Sequence, residues 1–338
     1  MRKGKNISKE QPISLKRYTH RVIIPLYIPN ETEYYRDAWQ IFTMCITSLL
    51  NTIAPQTAIS IVSNGSSKEI NSRLLDFCLD NNIDQLIIEE QKIGKINSIL
   101  RALKFTREPF VTITDADILF LNGWLKETSI IFQAFPKAAA VSPLPVFRTQ
   151  NHYTSNIIFD NLFSKKLKFT KVKDPEGLTK FAKSIGWSRL DEKWKDFIMT
   201  IGSDKTRAVV GCNHAVVTYR TEIFKKQTFK FAEYALGGET EGYYLDRMPQ
   251  LYDGYRLATE TAFASHMGNN LDESIIAEFK TIAADKIDGL KADNVLKYRP
   301  LSHVLKNILF KKILNKKSIK RLVYLNKGLP SSKIENFI

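Results

Sequence analysis

Pro109-Phe110-Val111-Thr112-Ile113-Thr114 is an apolar run of strand length, and it ends abruptly in Asp115-Ala116-Asp117. Upstream of it, strand-like and helix-like patterns alternate. Residues 21–28 (RVIIPLYI) form a first apolar run. Residues 36–54 follow with Trp39, Phe42, Ile46, Leu49, Leu50 and Ile53 on one helical face. Residues 57–63 (TAISIVS) read as a second strand, and Ser66 with Glu69 stands at capping-box spacing before a stripe of Ile70, Leu74, Phe77 and Cys78. A short strand at 84–88 leads into a helix with Ile96, Ile99, Leu100 and Leu103 facing inward. Strand and helix repeated four times predict an α/β fold with a mostly parallel sheet covered on both faces. Ligands of such sheets bind beyond the carboxyl ends of the strands, where Asp115 and Asp117 fall.

The 338 residues allow one large or two ordinary domains at roughly 100–200 residues each. With 43% hydrophobic and 25% charged residues, the composition is globular and excludes a disordered, collagenous or disulfide-scaffold chain. No apolar run reaches the about 18 residues of a membrane span, and the amino-terminal stretch has no apolar core of a secretory signal. Cys45, Cys78 and Cys212 are few and scattered, which fits a cytoplasmic protein and neither a disulfide framework nor a zinc site.

The net charge of +15 is unevenly distributed. Residues 1–21 carry +6 and residues 291–338 carry +10, so the segment between them is close to neutral at −1. A nucleic-acid binder would show a basic stripe across its folded body, and this one does not. The tail has Leu301, Val304, Leu305, Ile308, Leu309 and Ile313 on one side and Lys306, Lys311, Lys312, Lys316 and Lys317 on the other. That pattern predicts amphipathic helices that lie on an anionic membrane surface or pack on the domain.

Chemistry-bearing residues gather at the predicted strand ends. In extended chain, residues two apart point the same way, so Asp115 and Asp117 can face one divalent cation, Mg²⁺ or Mn²⁺ rather than zinc. A turn alone would also explain two Asp after a strand. Lys95 opens a helix, where a cation opposes the macrodipole unless a bound phosphate reverses the effect. A solvated surface lysine is the plainer alternative.

Four landmarks in order resemble the GT-A fold of nucleotide-sugar glycosyltransferases, and glycosyltransferase family 2 most of all. They are the first strand with its proline (VIIPLYIPN, 22–30), the turn Ser63-Asn64-Gly65-Ser66-Ser67, Gly94-Lys95 after a short third strand, and Asp115-Ala116-Asp117 as the D-x-D. Asn64 stands where the family usually has Asp. More loosely, Gly211-Cys212-Asn213-His214 resembles a G-G-N stretch, and Gly237-Gly238-Glu239-Thr240-Glu241 lies where relatives carry the catalytic base.

The resemblance implies a Rossmann-like GT-A catalytic domain over 21–290, with a nucleotide half to about 121, between a basic segment at 1–20 and basic amphipathic helices at 291–338. It implies a nucleoside diphosphate-sugar donor, a UDP-sugar first, with Pro25, Tyr27 and Asn64 near the nucleoside and Lys95 and Asp115 near the donor. Asp115, Asp117 and His266 would hold Mn²⁺ or Mg²⁺, and Asn213 would touch the acceptor. Glu241, or Glu239, would deprotonate the acceptor hydroxyl in an inverting transfer. The acceptor would be a saccharide or polyprenyl-linked saccharide in surface polysaccharide synthesis, at the inner face of the membrane. The alternatives are a sugar-1-phosphate nucleotidyltransferase, whose Gly-rich basic signature is missing after the first strand, and a non-catalytic protein binding a membrane or nucleic acid through its basic ends.

Overall fold

The structure is a computed structural model and describes residues 3–12, 16–227, 231–235, 237, 239–285, 287–292 and 294–338. The alternation read from the sequence is present as β1 (His20–Leu26), α1 (Ala38–Thr52), β2 (Thr57–Asn64), α2 (Lys68–Asp80), β3 (Gln85–Glu89), α3 (Lys95–Phe105) and β4 (Phe110–Thr114). β1 pairs in parallel with both β2 and β4, and β2 pairs in parallel with β3. All residues of β2 and β4 are buried, as expected of strands covered on both faces. The cap of α2 falls one residue later than its capping-box spacing predicts. Ser67 accepts from the Ile70 amide, while the Ser66 hydroxyl accepts from the Ile28 amide and fastens the end of β1.

The chain continues through β5 (Ile118–Phe120), α4 (Trp124–Ala134), β6 (Ala138–Ser142), β7 (Leu167–Lys171), β8 (Phe197–Gly202), β9 (Arg207–Val210), β10 (Val216–Arg220), β11 (Tyr255–Ala258) and β12 (Ala264–His266). Among the described residues, ten strands form one sheet in the order β3-β2-β1-β4-β10-β6-β11-β9-β8-β7. β10 is antiparallel to both neighbours, and β9 and β7 also run against the main direction, so seven strands point one way. β5 and β12 make a separate antiparallel ribbon. Helices α1 and α4 bury Phe42, Ile46, Leu49, Trp124 and Phe132 against the sheet.

A buried polar ladder crosses the centre of the sheet. His20 on β1 contacts Thr57 on β2 at 3.3 Å and Thr112 on β4 at 2.7 Å, and Thr112 pairs with Thr218 on β10 at 2.6 Å. Each buried hydroxyl thereby has a partner, as burial of polar groups requires.

The carboxy-terminal segment packs on this body. Tyr324 and Phe337 stack on Phe169, and Phe337 also meets Trp194. Between Pro300 and Leu314 the helix turns a polar side inward. His303 and Asn307 are buried there, and the Asn307 carbonyl accepts from Ser155 and Gln250. Lys306 pairs with Asp160 at 2.5 Å and Asp253 at 2.8 Å.

Candidate functional site

Parallel pairing brings the carboxyl ends of β1 and β4 side by side, and a cleft of about 320 Å³ opens beyond them. Pro25, Tyr27, Tyr34, Lys95, Asp115 and Asp117 are among its lining residues. Tyr27 meets Tyr35 edge to face at 5.8 Å, and the Lys92 ammonium lies 3.9 Å from the centre of the Tyr27 ring, a cation–π contact.

Asn64, at the end of β2, works behind this cleft. Its side-chain oxygen accepts from the amides of Ile93 (2.8 Å) and Gly94 (3.1 Å), which fastens the β3–α3 loop to the sheet. Two glycines make the close approach possible. Gly65 has φ +74°, and a Cβ there would lie 2.6 Å from the Lys92 nitrogen. Gly94 has φ +94°, and a Cβ would lie 2.8 Å from the Ala235 Cα. The Lys95 amide donates to the Ala235 carbonyl at 3.1 Å, so it is already committed within the protein.

The Lys95 side chain reaches across the cleft instead. Its ammonium lies 2.5 Å from Oδ1 of Asp115 and 3.7 Å from Oε1 of Glu241. Burial alone would lower its pKa, but the carboxylates of Asp115, Glu241 and Asp117 outweigh burial and raise it. Glu241 is buried and accepts from the Thr240 hydroxyl at 3.2 Å. Glu239 is exposed and takes a left-handed φ of +58°, and Gly238 lies outside the described residues. After Glu241 the chain forms a wide π turn at Gly242–Asp246 followed by a short α-helix at Met248–Leu251. Such turns often occur at functional sites.

Ala116 and Asp117 form a turn rather than extended chain, so the two aspartates take different partners. Where Asp115 turns to Lys95, Asp117 turns to His266. The β5–β12 ribbon sets His266 opposite Ile118, and the Asp117 carbonyl accepts from the Met267 amide. His266 Nε2 lies 3.4 Å from Asp117 Oδ2. Burial raises the Asp117 pKa, and the His266 and Lys95 charges only partly offset it. Oδ1 of Asp117 and Nδ1 of His266 are buried without a hydrogen-bond partner among the described residues. Among the described residues no group of three or more His, Cys, Asp or Glu side chains is arranged to hold a metal. An orphaned carboxylate oxygen beside an imidazole does fit a divalent cation that takes its remaining ligands from substrate phosphates.

Asn213 closes the turn into β10. Its amide donates to the Leu144 carbonyl and accepts from the Ala215 amide, both at 2.8 Å. Its neighbour His214, which sequence reasoning passed over, is half exposed and points to Asp246 at 3.5 Å. The hydrogen bond to Asp246 raises the His214 pKa, and Lys95 and Glu241 are near enough to act on its charge. Asp246 is held in turn by the fully buried Arg256 at 2.6 Å, whose guanidinium also donates to the carbonyls of Cys212 and His152. Asp246 carries no local sign of this role, because its partner His214 is 32 residues away in sequence.

Residues 22–186 match the family model described as Glycosyl transferase family 2. No curated protein sequence matches the chain. Among solved structures the chain is similar to GalNAc-T7 with UDP, GalNAc and Mn²⁺, at 13% identity and TM-score 0.47, over 75% of this chain. It spans 44% of the length of that protein. It is also similar to the mannosyltransferase PcManGT from Pyrobaculum calidifontis in complex with GDP-Man and Mn²⁺, at 14% identity and TM-score 0.45, covering 92% of this chain and 73% of that one. S. aureus TarS 1–349 shares 12% identity at TM-score 0.40, covering 94% and 69%.

Proposed function

We propose that this chain, whose residues 22–186 are a glycosyltransferase family 2 domain within a GT-A type α/β fold, transfers a sugar from a nucleoside diphosphate-sugar to a saccharide or polyprenyl-linked saccharide. A UDP-sugar is the first donor to test, and a surface polysaccharide assembled on the cytoplasmic side is the product we assign. The observation that carries the reading is the cluster at the sheet's carboxyl edge, where Lys95 ties Asp115 to Glu241 and Asp117 turns to His266.

In this reading Tyr27 and Pro25 form the wall against which the nucleoside lies. Asp117 and His266, each with a buried polar atom left unpartnered, would hold Mn²⁺ or Mg²⁺, with Asp115 beside them. When bound, the cation supplies positive charge to the departing diphosphate. Glu241 is the general base: it takes the acceptor hydroxyl proton as that oxygen bonds to the anomeric carbon and the bond to the diphosphate oxygen breaks, with inversion. Lys95 fixes the Glu241 carboxylate from 3.7 Å and keeps it from drifting to solvent. His214, oriented by Asp246, lies close enough to steer the acceptor.

The test is thermal unfolding of the whole chain with each nucleoside diphosphate, with and without Mn²⁺. Binding at about 100 times Kd adds about 2.7 kcal/mol of stability. One nucleotide is expected to stabilise the protein in a cation-dependent way. Indifference to every nucleotide in both conditions sinks the proposal.

A further inference from the structure

The helical stretch between Pro300 and Leu314 is amphipathic with its polarity reversed. A helix on a water-facing domain ordinarily turns its apolar stripe to the core. Here Leu301, Val304, Leu305, Ile308, Leu309 and Ile313 recur at intervals of three and four, and all face outward, from 41% exposed at Ile308 to 85% at Leu301. The inward side is polar through its first turns, and only Phe310 and Leu314 near its end turn to the core. Asn307 is held by Ser155 and Gln250, and Lys306 by Asp160 and Asp253. Rolling the helix to bury its leucines would break these contacts and leave the buried Asp253 with Lys137 as its remaining cation, so the apolar side is held outward.

The surroundings of the patch say what covers it. Lys311, Lys312, Lys316 and Lys317 are exposed alongside it, and the sequence holds no Asp or Glu between residues 294 and 334. Glu335 pairs with Lys317 at 3.4 Å and also with Arg321, and among the described residues no carboxylate pairs with Lys311, Lys312 or Lys316. Two such faces would repel one another, whereas lipid phosphates would attract them. No helix among the described residues is long and apolar enough to cross a membrane, so the geometry is that of lying on a surface.

We propose that this face docks on an anionic bilayer, with the leucines entering the boundary between headgroups and acyl chains and the lysines meeting lipid phosphates. The face lies near the π turn. The Lys311 ammonium is 5.8 Å from the Tyr153 ring, and the Tyr153 hydroxyl lies within 2.8 Å of where a Gly242 Cβ would stand, at the start of the π turn that follows Glu241. A docked chain would therefore present that turn toward the lipid side; this last step rests on the transfer reading, while docking itself does not.

The experiment is co-sedimentation of the full chain with vesicles of phosphatidylcholine alone and of phosphatidylcholine mixed with phosphatidylglycerol. No donor, acceptor or metal is present, so the outcome is independent of whether the transfer reading holds. The chain is expected to pellet with the mixed vesicles and stay in solution with the neutral ones. Leu305→Ser/Leu309→Ser and Lys311→Ser/Lys312→Ser should each weaken binding roughly tenfold or more, with unchanged melting temperatures. Failure to pellet with either vesicle, or pelleting that neither variant weakens, overturns the proposal. So does a solution dimer that Leu305→Ser/Leu309→Ser dissociates in a chain that ignores vesicles, since the patch would then join two copies.

Discussion

The Lys95 ammonium sits 2.5 Å from the Asp115 carboxylate and 3.7 Å from that of Glu241, so one cation holds two acids that come from segments far apart in the chain. Removing it leaves two like charges facing each other across little solvent. Lys95→Met is expected to cost about 1–3 kcal/mol, less than a fully buried pair because both partners keep some exposure. Adding Asp115→Asn should recover part of that loss. Urea unfolding of the two single variants and the double gives the coupling, and strictly additive values would show that the contact contributes nothing.

Asp117→Asn separates function from stability. Burial already disfavours the charged form of Asp117, so removing the charge should leave the melting temperature unchanged or raise it. Sugar transfer should fall about 100-fold or more. A variant with full turnover would remove Asp117 from the machinery.

The two candidate bases are distinguished by their surroundings. Glu241→Gln is expected to lower kcat by a factor of about 10² to 10⁴, the usual contribution of a positioned base. Glu239→Gln should turn over at the wild-type rate, because Glu239 is exposed to solvent. Equal losses in the two variants would contradict the assignment.

Stability against acid should depend on His20. Complete burial pushes its pKa down to about 3, so the folded protein keeps it neutral while the unfolded chain takes up a proton below about pH 6.5. Between these values the unfolded state binds more protons, and stability falls as pH falls, by about 2 kcal/mol from pH 6.5 to about pH 5. His20→Gln should be less stable at neutral pH but flatter across this window. Melting curves at several pH values give the two slopes, and parallel slopes would rule out His20 as the source.

Asp246 balances a fully buried guanidinium. Asp246→Asn leaves Arg256 charged in the core without its counterion, and a loss of about 3–5 kcal/mol is expected. Denaturant unfolding measures it, and His214 should lose its raised pKa in the same variant, visible in an NMR titration of its ring.

The nucleotide half of the fold could be read in the sequence because β1 to β4 are long apolar runs separated by helices with clear periodicity. β5 and β12 have three residues each, too few to show a period, and β7 to β9 form an antiparallel extension of short strands in a stretch interrupted by Pro175. Within the site, Asp115, Asp117, Lys95 and His266 stood out because they fall at element ends. What residue types alone could not tell is how they pair. The expectation that Asp115 and Asp117 face one way assumed extended chain, and the turn at Ala116 sends them to different partners. His214 stayed hidden because Asp246 and Arg256, which orient it, are brought to it only by the sheet and the π turn.

The place of β10 has a consequence for how the protein comes into being. The family match ends at residue 186, yet the strand that joins β4 to β6 is supplied by residues 216–220. During synthesis the nascent chain must therefore keep both strand edges open until those later residues leave the ribosome. A fragment cut at 186 would leave β4 open on one edge and β6 on both, edges prone to self-association.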